Sequence, residues 1–147
     1  MSLIERFVAQ RGVFEQIYVN GDWQALAPFF ESDVVYEVMN MPFHCVIRGR
    51  DAFFAGMQRS IEGFDKHCIR TMGIDSRIRE EGNNVIVNGG MRFEREGAPP
   101  FSCRVWEIAT YRGDRIERMV DLYEAGSADD FARWMDAWGE GLDPRYV

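Results

Sequence analysis

Two acids sit in strand-like runs where a carboxyl group can move protons: Glu107 within Phe101 to Tyr111, and Asp121 within Arg115 to Tyr123. On neighbouring strands, such a pair can do acid–base chemistry if its surroundings set the two pKa values apart. Glu107 shares a parity with Cys103, Val105, Ala109 and Tyr111, which assigns it to a covered face. Asp121 shares one with Glu117, Met119 and Tyr123, while Ile116, Val120 and Leu122 make up the apolar parity, so strict alternation turns Asp121 toward solvent. Further upstream, Val34, Tyr36, Val38 and Asn40 form a strand face without a charge. There Tyr36 and Asn40 can hold a polar ligand group by hydrogen bonds, or serve only as a buried phenol and a strand-end cap. His44, in the loop after Pro42, suits a pocket rim where an imidazole transfers protons; a surface histidine fits the same place. The dipeptides His44-Cys45 and His67-Cys68 point their side chains to opposite faces of extended chain and lack zinc spacing, so no metal is expected.

The 147 residues, 46% hydrophobic, suffice for one domain with its own core and fall short of two. A formal charge of −7, with no basic run to neutralise a phosphate backbone, argues against nucleic acid as a partner. Glu5, Arg6 and Arg11 interrupt the apolar residues of the N-terminal segment, unlike a secretion signal, and no stretch has the length of a membrane span. Three cysteines without a CxxC pair fit a reduced, cytoplasmic setting.

These residues need elements to position them. Leu3, Ile4, Phe7, Val8, Phe14, Ile17 and Tyr18 recur mostly at helical steps, which predicts a helix over 2–19, stopped by Asn20-Gly21. Asp22 is the expected N-cap of a second helix running to Glu31, followed by a strand over Val34 to Asn40 that Met41-Pro42 ends. A third helix follows Gly49-Arg50-Asp51 and stops at Gly63. The period then changes to four strands, His67 to Ile78, Val85 to Arg95, Phe101 to Tyr111 and Arg115 to Tyr123, separated by Gly-, Asn- and Pro-rich turns that imply an antiparallel meander. Ala128 to Glu140 returns to helical spacing; its Phe131, Trp134, Met135 and Trp138 pack into the core, close the open end of the sheet, or cover a second subunit. The order is that of an α+β domain: a curved antiparallel sheet, a cone-shaped half-barrel, packed with three N-terminal helices and a C-terminal helix. A sheet so bent leaves a hollow.

Gly21-Asp22-Trp23, Phe29-Phe30 before Val34-Val35-Tyr36, Gly49-Arg50-Asp51-Ala52, and Gly113-Asp114-Arg115-Ile116 before Asp121-Leu122-Tyr123 follow one another as in the nuclear transport factor 2-like superfamily. The chain resembles its SnoaL-like and ketosteroid-isomerase-like branches over nearly its whole length, as a single domain spanning residues 1–147. Limonene epoxide hydrolases of the same superfamily are similar at Asn40 and Asp121, but Val38, Gly89 and Met91 stand where they carry a tyrosine, an arginine and a second aspartate. Ketosteroid isomerases carry an acid at the place of Glu107, whereas Phe14 and Val38 replace their tyrosine and general base. The resemblance implies that Asp121 faces the hollow with Met119 and Tyr123, as a proton acceptor. Glu107 would be a neutral donor to developing charge, with Tyr36, Val38, Asn40 and His44 around the ligand. The implied activity is that of an isomerase, lyase or cyclase acting on a small apolar molecule without cofactor. A homodimer formed through the convex face is also implied. A non-catalytic ligand-binding or dimerising module of the same fold is the alternative.

Overall fold

Ser2 and Glu5 start the first helix by exchanging caps: the Glu5 N–H donates to Ser2 Oγ at 3.1 Å and the Ser2 N–H to Glu5 Oε2 at 2.7 Å. This helix, α1 (Leu3–Asn20), ends at Gly21, which adopts φ +75° and returns its N–H to Ile17 O. In the computed structural model, which describes all 147 residues, the next segment departs from expectation. Trp23–Phe29 is a 3-10 helix, not an α-helix, and the Asp22 side chain does not cap it. Pro28 is the physical reason, since it has no N–H to continue an α-helical ladder. The strand β1 (Phe30–Met39) therefore begins four residues earlier than the pattern suggested.

Two further differences concern β1. The short strand β2 (Cys45–Arg48), too brief to announce itself by alternation, pairs antiparallel with it, Tyr36 opposite Ile47. Helix α2 (Arg50–Gly63) follows, then a 3-10 turn over Asp65–His67, which takes His67 out of the strand expected there. Strands β3 (Ile69–Glu81), β4 (Asn84–Glu94), β5 (Phe101–Arg112) and β6 (Arg115–Tyr123) form the expected antiparallel meander, and α3 (Ser127–Trp138) closes it. The sheet order is β2-β1-β6-β5-β4-β3, and within it only the β1–β6 pair is parallel. The result is an α+β cone: one curved, unclosed six-stranded sheet whose concave face is covered by helices. No helix is long and apolar enough to cross a membrane.

The concave face is filled largely by aromatic rings. Phe30 and Phe53, each 1% exposed, meet edge to face at 5.3 Å, and Tyr36 stacks on Phe53 at 4.5 Å. Burying each such ring contributes about 2–3 kcal/mol. At the other end Phe131 and Trp134 of α3 pack on Phe64 and Phe101, and Trp134 donates its indole N–H to Pro99 O at 2.8 Å. The stripe on α3 thus belongs to the monomer core, apart from Trp138, which is 44% exposed.

After α3 the chain crosses back over α2. The Asp143 N–H donates to Gly63 O at 2.9 Å and Ser60 Oγ donates to Pro144 O at 2.7 Å. Gly56 and Gly63 lie where this segment approaches the helix, most closely at Gly63. A glycine inside a helix costs about 0.5–1 kcal/mol relative to alanine. The close contact is what that cost allows.

Candidate active site

Residue Glu117 decides which way Asp121 faces. Along the β5–β6 ladder Thr110 is opposite Arg118 while Tyr111 is opposite Ile116, so Glu117 is an extra, bulged residue. Ile116 and Met119, three apart, are consequently both buried on the concave side, and the parity of everything downstream is reversed. Asp121 and Tyr123 then join Met119 on the inside, and Val120 and Leu122 go to the outside. Alternation read without the bulge gives the opposite answer for Asp121.

The bulge also brings the two acids together, for Glu107 is directly opposite Asp121 in the ladder. Like charges in that relation repel. Arg11 of α1 comes between them, ion-paired with Glu107. Asp121 accepts a hydrogen bond from Tyr36 Oη on its Oδ2, while its Oδ1 is sealed from solvent without a hydrogen-bond partner. Burial pushes the Asp121 carboxyl above the ordinary carboxylate range; the Tyr36 hydrogen bond and the Arg11 charge pull it back only in part. Arg11, its own pKa lowered by burial, lies over the rings of Phe7 and Phe14 at 5.4 and 5.8 Å.

Three phenols surround the pair. Tyr146 Oη lies 3.4 Å from Tyr36 Oη. Tyr36 has one proton and gives it to Asp121, so Tyr146 is the donor in this longer contact. Tyr36, Tyr123 and Tyr146 are all shifted upward, first by burial, with Asp121 adding to the shift of each, and remain neutral donors at any physiological pH.

These groups line a hollow of about 90 Å³, with 24 residues in its wall, 17 of them hydrophobic. Of the residues the sequence nominated, Tyr36, Glu107, Met119, Asp121 and Tyr123 are in that wall. Val38, Asn40 and His44 are not. Val38 is spent in the core at 2% exposure; Asn40 is exposed and donates to Tyr123 O at 3.0 Å, capping the strand end. His44 is exposed, its ring held near Met41 O. The wall also holds groups that sequence reasoning missed: Arg11, Tyr146, and the pair Asp65 and Arg70. Arg70 reaches both Glu15, at 2.9 Å, and Asp65, at 4.0 Å, and covers the Tyr18 ring at 4.0 Å. Asp65 is pushed up to about 6 by burial, against the pull of Arg70. Cys103, also in the wall, is raised to about 12 by burial. Arg11 alone left a trace in the sequence, as a charge amid the apolar spacing of α1.

Residues 10–119 match the profile of the SnoaL-like domain family, three quarters of the chain. The chain belongs to the SnoaL-like domain family. Solved structures, several of them NTF2-like proteins, agree on the fold at low identity. An NTF2-like protein of unknown function from Burkholderia pseudomallei superposes with a TM-score of 0.70 at 14% identity, over 91% of this chain and 98% of that one. TerC co-crystallised with polyporic acid gives 0.68 at 14% identity, with 91% and 98% covered. A putative polyketide cyclase from Xanthomonas campestris gives 0.59 at 18% identity, with 92% and 98% covered. Comparison with curated proteins finds no match.

Two predictions follow from the electrostatics of this SnoaL-like domain. Tyr36→Phe removes the hydrogen bond that lowers the Asp121 pKa, so a carbon-13 titration of the Asp121 carboxyl will show it titrating at higher pH than in the wild type. Asp65 binds its proton more tightly folded than unfolded, so its contribution to stability is complete below about pH 4 and lost as pH rises through about 6. Denaturant melts at pH 4.5 and 7.5 should therefore show Asp65→Asn escaping a loss of about 2 kcal/mol that the wild type suffers between them.

Proposed function

We propose that this domain is a cofactor-free acid–base enzyme of the isomerase, lyase or cyclase kind, acting on a small, largely apolar ring compound. The observation that carries the reading is the Asp121 carboxyl: one oxygen is fixed by Tyr36, the other is free of partners, and the pKa is raised toward the range where a carboxylate works as a base. In this reading Oδ1 removes a proton from a carbon next to a carbonyl. Tyr36 holds the base in orientation and stabilises it between turnovers. Arg11, with its charge balanced by Glu107, is the cation near the enolate oxygen that forms. The apolar wall excludes water, which strengthens each of these interactions. Two structural neighbours support a ring-shaped organic substrate: one carries polyporic acid, the other is described as a putative polyketide cyclase.

One observation favours the alternative of a non-catalytic dimerising module: the hollow, at about 90 Å³, is small for a molecule of several rings. We also assign the outer face to contact with a second copy. Trp106, Leu122 and Met39 lie in register across β5, β6 and β1, and Trp106 and Met39 are 39% and 40% exposed.

The test of chemistry uses 2-tetralone in deuterated buffer, followed by proton NMR. The wild type should exchange the acidic carbon-bound protons, and Asp121→Asn should slow that exchange about 100-fold or more while leaving affinity nearly intact. Equal rates for the two proteins reject Asp121 as a base. For the assembly, sedimentation equilibrium should give the mass of two chains for the wild type and of one for Trp106→Glu; a monomeric wild type rejects the second assignment.

A further inference from the structure

The segment Leu142–Val147 forms neither strand nor helix, yet α2 is shaped to receive it. Gly56, Ser60 and Gly63 succeed one another at spacings of four and three, on one face of the helix. A Cβ on Gly63 would collide with the Asp143 carbonyl, and one on Gly56 would stand 3.0 Å from Tyr146 O and 2.8 Å from Ile47 Cδ1. Ser60, 6% exposed, spends its hydroxyl on Pro144 O. Two hydrogen bonds and an Arg59–Asp143 ion pair at 3.9 Å are all that tie this strap to α2.

What the strap delivers is an aromatic ring with an oxygen on it. Tyr146 stacks on Phe43 at 6.1 Å with the planes 27° apart, tilts against Tyr36 at 5.5 Å, and places its Oη beside the Tyr36 hydroxyl that holds Asp121. The remaining free volume, about 90 Å³, is smaller than the roughly 150 Å³ that admits a benzene molecule. A ring-bearing ligand therefore has to displace part of the wall. The rest of the wall near Tyr36 is built into strands, helices and the loop joining β1 to β2.

We propose that the strap opens to admit the ligand, and that Tyr146 occupies the place of the ligand's hydroxylated ring, its Oη marking where a phenol or enol oxygen meets the Tyr36–Asp121 pair. The inference deepens the acid–base reading above and rests on it for the identity of that oxygen. Closed, the strap keeps water from the base; open, it exposes a flat slot between Phe43 and Tyr36 with a polar end. The ligand class is a planar aromatic or polycyclic molecule carrying a hydroxyl at one edge.

The test titrates 2-naphthol, and naphthalene as its counterpart without oxygen, into the wild type, Tyr146→Ala and Gly63→Ala. The first variant removes the ring, whereas the second pushes the strap off α2 from a position outside the cavity wall. Both should bind 2-naphthol about tenfold or more tightly than the wild type, with a clearly smaller gain for naphthalene. Unchanged 2-naphthol affinity in either variant that circular dichroism shows to be folded overturns the proposal, as does an equal gain for naphthalene. The carbon-13 titration of Asp121 separates two failures. An ordinary carboxyl pKa in the wild type rejects the acid–base reading, while a raised one with unchanged naphthol affinity rejects the strap alone.

Discussion

One additional residue in a β-ladder sets the chemistry of the interior. Because Glu117 bulges out of β6, the strand turns over between Ile116 and Met119, and a carboxyl that simple alternation would leave in water is carried into an aromatic hollow. A carboxyl there is tolerable only with a donor, and β1 supplies one in the parallel strand alongside: Tyr36, whose own ring is fixed by stacking on Phe53. The parallel β1–β6 pairing is therefore part of the site as much as of the fold.

The same register creates a conflict and resolves it. Glu107 and Asp121 are cross-strand partners, and two anions so close in a low dielectric would repel by several kcal/mol. α1 answers with Arg11, which takes Glu107 into an ion pair and leaves Asp121 as the acid whose protonation is open to change. At the far wall Arg70 is shared by Glu15, at 2.9 Å, and Asp65, at 4.0 Å.

The fold was largely legible because its signals are local. Ser2 and Glu5 announce the start of α1, Gly21 its end, and Gly-, Asn- and Pro-rich turns mark the meander, so β6 coincides with its expected span. What escaped was set by tertiary structure or by single residues acting against a pattern. Pro28 converts an amphipathic stretch into a 3-10 helix, and β2 has four residues, too few for a period. The parallel β1–β6 pairing joins residues far apart in the chain, such as Phe30 with Ile116, which no spacing reports. Within the site, Tyr36 and Glu107 could be placed by parity, but the side on which Met119, Asp121 and Tyr123 lie could not, because a bulge has no reliable sequence mark. Asn40 and Val38 shared the right face of β1, yet the strand end consumed one and the core the other. Tyr146 was invisible for another reason: its place depends on missing side chains at Gly56 and Gly63, far away in sequence.

Cys103 has a further consequence. Its sulfur sits in the wall of the hollow, and burial lifts its pKa to about 12. Thiol nucleophilicity belongs to the thiolate, which is almost absent at such a pKa. An electrophilic compound that reaches this wall meets a thiol, whose attack is far slower than a thiolate's.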